Sequence, residues 1–451
     1  MAKRKLKNGI TLFLCIIFVL FMIIGPFYLL FHRPNEMNYN KVKDKPEWTG
    51  VITFWDYPRL DQSTGTNFRW IYDKIRAFEK AYPGVYIQFK PLTWERGPIQ
   101  VESAAKLGQL PDIIPIGSDY SLLHKGLLEP LDPFLSVTEI QDFRENALEA
   151  VTYDGRIWAM PWMMTTYTMA LNLDIFQDRG VEPPMDGLWH YDEFIEKMKV
   201  LTFASEEDGK IDHYGLGGFI QPGYYNLWGI LLSDGGEIVD EGLHYVFNDH
   251  RAQKGIEKLI NLKNEYAVMP EDFGENNAND AWTHFYQEQK TAVYPTGTWS
   301  LNVLKQMKQE GTGFNYSIAH FPIGEKGAPI TMSNMVGSYG MTKQQDPLKL
   351  EMGVTFLKFL SEEKHQQELT RLGVFPVKKS VGNIYEADPL MTMIYETLTY
   401  TEIPPPHPYW KEIDEIIQNE IRQGVLEKKT PQQVLQDAEE KVNVLIKSKQ
   451  Q

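Results

Sequence analysis

The chain has 451 residues, 43% hydrophobic and 23% charged, which is long enough for two or three ordinary domains. Its formal net charge is −15, and with Lys3, Arg4, Lys5 and Lys7 gathered at the front, the remainder is more acidic still. That balance argues against nucleic acid as a partner, and the single cysteine, Cys15, excludes an internal disulfide and Cys/His zinc patterns.

Behind the basic residues, the 22 residues 10–31 carry no charge. A helix of roughly 20 apolar residues spans a bilayer core. Basic residues ahead of it set the N-terminus on the cytoplasmic side and everything after His32 outside. The usual apolar region of a cleaved signal is shorter, and Gly25-Pro26-Phe27-Tyr28 offers no small-residue cleavage site. Leu14, just before Cys15, is too large for a lipoprotein signal. The expectation is an uncleaved signal anchor, with a cleaved signal as the alternative. Thus residues 1–9 form a cytoplasmic end, 10–31 a transmembrane helix and 32–47 a flexible linker with Pro34 and Pro46. The cell membrane, crossed once, with the body on the extracellular side, is the expected location.

The body opens with Val51-Ile52-Thr53-Phe54-Trp55, a β-rich run. Ile71, Ile75, Phe78 and Tyr82 follow at helical spacing, and Pro83-Gly84 ends that helix. Residues 85–89 make a second strand, so the opening is β-α-β, the unit of parallel sheets. A helix near 99–108 and a buried strand at 112–116 repeat the pattern. Further helices are expected at 191–203, 224–234, 252–265, 280–289, 299–309, 347–361, 363–372, 408–424 and 431–447. Strands are expected near 168–171, 291–294, 316–320 and 337–341. The fold class is therefore α/β, with ligands expected at the carboxyl ends of strands.

No catalytic signature stands out: HExxH, a P-loop, GxSxG and an EF-hand loop are all absent. Sixty acidic residues make some close carboxylate pair inevitable, so their number does not favour a glycosidase. The ten histidines are scattered, and the Gly-Leu-Gly near 215–217 lacks the strand and later acid of a dinucleotide site. No enzyme activity, metal or cofactor is expected.

Several segments together resemble the carbohydrate-binding receptors of bacterial ABC importers, the group that contains maltose-binding protein. They are TFW at 53–55, FEKAYPGVYIQF at 78–89, PDIIPIGSD at 111–119, DGRIWAMPW at 154–162, and Ala170-Leu171-Asn172 before Asp174-Ile175-Phe176. LLSDGGEIVD at 231–240, FYQEQKTAVYPTGTW at 285–299, FLKFLSEEKHQQ at 356–367 with Gly373 and Pro376 beyond it, and TPQQVLQDAEEKVN at 430–443 complete the series. Order and spacing over almost the whole body carry the resemblance. It implies a two-lobe periplasmic-binding-protein-like fold with hinge crossings and the ligand between the lobes. Lobe one is expected at 48–162 and 321–342, lobe two at 163–320 and 343–447. The implied function is delivery of a sugar, more plausibly an oligosaccharide, to ABC permease subunits. The alternatives are an anchored sensor acting through a membrane partner, and a carbohydrate-active enzyme.

A sugar ring has apolar C–H faces and a rim of hydroxyls, so its site needs flat aromatic faces with short polar groups beside them. Trp55 and Asp56 qualify at the end of the first strand, although Trp55 suits a core cap equally well. Asp119 follows the strand at 111–116, where the resemblance implies a hydroxyl-binding acid; a helix cap is the rival reading. Trp162 stands at the expected first crossing, with Thr165 just after it. Tyr225 and Trp228 share one face of a helix, a pairing that suits a core as well as a site, at a position where the resemblance implies binding. Thr298 and Trp299 follow the turn Pro295-Thr296-Gly297, and Trp299 is the foremost stacking candidate by resemblance. Trp410, in the PPPHPYW run, matches another stacking position of the family. Asn334 and Met335 lie on the Gly-flanked loop before Gly337.

Overall fold

The computed structural model describes residues 46–117, 120–334 and 336–450. The expected span at 10–31, nearly all of the linker, Asp119 and Met335 lie outside the described residues. Among the described residues no helix is long and apolar enough to cross a membrane.

Alternation in β1 (Gly50–Asp56) sends Ile52, Phe54 and Asp56 into the protein. Helix α1 (Arg69–Ala81) buries Trp70, Ile71, Lys74, Ile75 and Phe78 as one stripe. Gly84, at φ 94°, then makes the left-handed turn into β2 (Val85–Pro91). Helix α2 (Gly97–Leu107) leads to β3 (Ile113–Pro115), and β4 (Leu128–Glu129) and β5 (Met160–Met164) follow.

Strand β6 (Tyr167–Asn172) begins three residues after β5 ends and belongs to a different sheet. Helix α3 (Tyr191–Val200), β7 (Tyr214–Leu216), α4 (His250–Asn264) and α5 (Ala278–Tyr286) come next. The side chains of Asp249 and Asn277 cap the starts of α4 and α5. Then come β8 (Thr291–Gly297), α6 (Trp299–Gln309) and β9 (Tyr316–Ala319). Short β10 (Thr331–Met332) and long β11 (Val336–Thr342) precede α7 (Pro347–Leu360) and α8 (Pro389–Thr397), each of which has Asp at its N-cap and Pro in its first turn. The chain ends with β12 (Thr401–Glu402), α9 (Trp410–Val425) and α10 (Pro431–Gln450).

Sheet one has the order β2-β1-β3-β11-β4, with β5 also paired to β11. β1 runs parallel to β2 and β3, and β11 runs antiparallel to its three partners. Sheet two has the order β7-β8-β6-β9, with β6 antiparallel to β8 and β9. Each sheet with its helices makes one α/β lobe.

Three crossings join the lobes: between β5 and β6, between β10 and β11, and from Phe375 to β12. The first and third lie side by side, because Met164 and Phe375 exchange both backbone hydrogen bonds, at 2.7 and 2.8 Å. Thr166 and Thr401 add a hydroxyl contact of 2.6 Å, and β10 pairs with β12.

Two lobe assignments differ from the expectation. Residues 343–372, expected in lobe two, pack on sheet one. Phe356 of α7 meets Phe54 and Phe78 at ring distances of 5.8 and 4.9 Å, and Arg371 pairs with Asp61 and Asp73. The apolar face of α7 buries Phe356, Leu357 and Leu360 against that sheet. Conversely, Phe321, Ile330 and Met332, expected in lobe one, belong to the core of lobe two. The helix expected at 224–234 is reduced to Trp228–Leu231.

Candidate functional site

The strand registers decide which edges of the sheets face each other. Asp56 lies level with Pro91, and Val336 with Met164, so the carboxyl ends of β1 and β2 share an edge with the strand ends that lead into the crossings. In sheet two, Tyr167 at the start of β6 lies level with Gly297 at the end of β8. The end of β8 is therefore the edge turned toward lobe one.

On that second edge the chain turns sharply into α6. Thr298 is fully buried, and its hydroxyl lies 2.9 Å from that of Thr165 on the first crossing. Ser300 donates its hydroxyl to the Gly297 carbonyl at 2.9 Å. A Cβ on Gly297 would come within 2.8 Å of Trp299 Nε1, so glycine is what lets the indole lie over the strand end. Trp299 remains 50% exposed. Trp282 of α5 meets it edge-on at 5.4 Å and stacks on Tyr286 at 4.8 Å. Trp299 is thus a supported, half-bare indole beside two threonines and the first crossing.

The first edge is built differently. Asp56, only 2% exposed, receives Arg59 Nη1 on both carboxylate oxygens at 3.0 Å and the Tyr339 hydroxyl at 2.7 Å. Burial, and then the Asp56 charge, push the Tyr339 hydroxyl far above its ordinary value, so it stays a donor. Burial works against the Arg59 charge, but Asp56 outweighs it and holds the guanidinium above its ordinary value. Arg59 also covers the Trp162 ring at 4.9 Å.

Several expected site residues are already committed to such contacts. Trp162 is 1% exposed and sandwiched between Trp70 and Tyr339, at 5.0 and 5.5 Å; it is a core residue and not a bare cleft floor. Its Nε1 is buried without a hydrogen-bond partner. Asp56 spends its oxygens on Arg59 and Tyr339. Trp55 is half-buried, with Lys90 Nζ 3.9 Å above its ring. Tyr225, Trp228 and Trp410 do come together, but as a buried trio. Trp410 Nε1 donates to the Tyr225 hydroxyl at 2.9 Å, and the ring distances are 6.1 to 6.4 Å. Asp414 holds this arrangement by accepting from Gly223 N at 2.6 Å and from Gln418, while burial raises its carboxyl to about 6. All three rings therefore serve the core of lobe two. Asn334 is exposed on the second crossing.

Sequence reasoning missed three partners of these residues: Tyr339, Trp282 and Tyr286. Trp282 and Tyr286 were legible as an i,i+4 aromatic pair. A crevice of about 540 Å³ beside the crossings, lined by Arg144, Asp186, His320, Tyr395 and Tyr400 among others, contains none of the expected site residues. No group of three or more metal-ligating side chains forms among the described residues.

A profile of bacterial extracellular solute-binding proteins matches residues 74–393. A Brucella abortus protein described as a binding protein is 24% identical over 387 residues, covering 82% of this chain and 88% of its own length. Among solved structures, an ABC substrate-binding protein from Listeria monocytogenes in complex with cycloalternan superposes with a TM-score of 0.72 at 18% identity, covering 89% of this chain and 99% of that one. A maltose/maltodextrin-binding domain from Bdellovibrio bacteriovorus bound to maltotriose gives 0.71 at 20% identity, covering 88% and 100%. These likenesses establish the two-lobe fold.

Proposed function

Since this chain belongs to the family of bacterial extracellular solute-binding proteins, and is therefore a binding protein and not an enzyme, we propose that it captures a sugar between its lobes and delivers it to the permease of an ABC importer. The observation that carries this reading is Trp299, a half-exposed indole braced by Trp282 at the edge of sheet two that faces the crossings. An aromatic face offered to solvent beside short hydroxyl side chains suits the C–H face and hydroxyl rim of a pyranose. The sugars bound by the structural neighbours favour the same class, in particular cycloalternan and maltotriose.

The ligand settles on one lobe and the other closes over it. Only contacts made in the closed form move that equilibrium, and shifting closure from rare to dominant takes about 5 kcal/mol of preference. The basic start and the uncharged run at 10–31 support tethering to the cell membrane with the body outside, where a tether raises the receptor's effective concentration at the permease.

The test is a thermal-shift screen of the full-length chain against mono- and oligosaccharides, with amino acids, phosphate and divalent metals as controls. A ligand at a hundred times its Kd adds about 2.7 kcal/mol to the state that binds it. Stabilisation by one saccharide series, lost in Trp299→Ala, is the expected result. Stabilisation only by a non-sugar solute would overturn the sugar assignment.

A further inference from the structure

Of the eleven tryptophans, two stand clearly exposed: Trp299 at 50% and Trp94 at 57%. An exposed indole leaves a large apolar surface in water, so two of them on opposed edges call for an explanation. Trp94 lies in the turn that leaves the carboxyl end of β2, on the edge of sheet one that faces the crossings.

That turn is firmly built. Leu92, 2% exposed, donates its N–H to the Asp56 carbonyl at 2.8 Å, anchoring the turn to the end of β1. Gly97 N donates to the Thr93 carbonyl at 2.7 Å, and Arg96 N to Thr93 Oγ1 at 3.2 Å, closing the loop around Trp94. One face of the indole lies flat on Tyr57, at 4.4 Å and 9° between planes. Gly97 packs closely on Tyr57: an added Cβ there would come within 2.4 Å of the phenol ring. The second indole face is left bare and fixed in orientation, so a planar partner settling on it costs little side-chain entropy.

Lobe two comes near lobe one at the helix that follows this turn. Glu102 of α2 lies within electrostatic reach of Lys411 in α9. The carbonyl of Pro406, just ahead of α9, lies near the His124 ring of lobe one and favours its charged form. Trp94 follows the strand-end edge of sheet one that leads to the crossings, as Trp299 follows that of sheet two.

We propose that the Tyr57–Trp94 pair is a second stacking platform, which takes a distal ring of an oligosaccharide whose first-bound rings lie on Trp299. This rests on the sugar reading and narrows it: the preferred substrate is a chain long enough to touch both lobes, and not a single sugar. Length then governs closure, since only a saccharide in contact with both platforms stabilises the closed form through both.

The experiment is calorimetric titration of the full-length chain with gluco-, xylo-, manno- and galacto-oligosaccharides of two to six units, in wild type, Trp94→Ala and Trp94→Phe. In the series that binds, wild-type affinity should rise with length. Trp94→Ala should remove the upper part of that rise, losing about tenfold on the longest member, as expected for one stacked ring, and less than about twofold on the shortest. Trp94→Phe should keep most of it, and unfolding midpoints of both variants should match wild type. An equal loss at every length, or no loss at any, would overturn the second platform while leaving the sugar reading intact. Failure of every series to bind wild type would overturn both.

Discussion

Thr165 Oγ1 and Thr298 Oγ1 lie 2.9 Å apart, so the first crossing between the lobes is bonded directly to the turn that presents Trp299. The first crossing and the turn into α6 are therefore one unit. In Thr298→Val the shape is kept and the bond lost; Thr165, half-buried, can turn to water. Stability should fall by about 0.5–1.5 kcal/mol in urea unfolding, and saccharide affinity several-fold by calorimetry. Adding Thr165→Val should cost little more, because both changes remove the same bond.

The two kinds of tryptophan should separate cleanly. Trp162→Ala empties a sandwich between Trp70 and Tyr339 and should cost about 3–5 kcal/mol in stability. Trp299→Ala acts on a half-exposed ring; stability should change by less than about 1 kcal/mol, while saccharide affinity drops by about tenfold or more. Thermal melts beside binding titrations of both variants check this pair.

Asp56 should matter as a structural charge. Asp56→Ala leaves the Arg59 guanidinium without its carboxylate over the Trp162 ring, and loss of one partner of a buried pair costs about 3 kcal/mol or more. Replacing both, Asp56→Leu with Arg59→Leu, should recover most of that in urea unfolding. If Asp56→Ala instead spared stability and abolished binding, Asp56 would be a ligand contact after all.

Acid should weaken the fold through its buried histidines. Burial pushes His365 down to about 4, with its Nδ1 donating to the Phe359 carbonyl at 2.6 Å. The unfolded chain then takes up that proton first, near the ordinary histidine value of about 6.5. Stability is accordingly full above that value and falls as pH drops toward 4. His320 and His407, also lowered by burial, act in the same direction. Asp414, raised by burial to about 6, opposes them: its contribution is full at low pH and lost as pH rises through 6. Urea midpoints between pH 7 and pH 4 should therefore fall less in His365→Gln than in wild type, and more in Asp414→Asn.

The β-α-β opening could be read directly from the sequence, because alternation in 50–56 and the helical stripe from Trp70 to Phe78 are local patterns. So could the turn that carries Trp299, because Gly297 marks a sharp passage from strand to helix. What lies far apart in sequence could not. Nothing in residues 343–372 announces that they return to sheet one, since an apolar helix face does not name its partner. Tyr225, Trp228 and Trp410 were singled out as aromatic, yet whether a ring is bare or buried depends on its neighbours. Trp162 likewise became a core residue through Trp70, Tyr339 and Arg59, drawn from three separate stretches of chain. Trp94 occupies the same kind of strand-end position as Trp55, and only its exposure distinguishes it.

Strand β11 sits inside sheet one and pairs with β3, β4 and β5. It is made of residues 336–342, far along the chain from the strands it joins, the last of which ends at Met164. A chain growing from its N-terminus therefore cannot complete its first core until the ribosome has passed that strand. Until then the earlier strands lack the element that unites them. The late arrival of one strand therefore holds back the first lobe until most of the chain has been made.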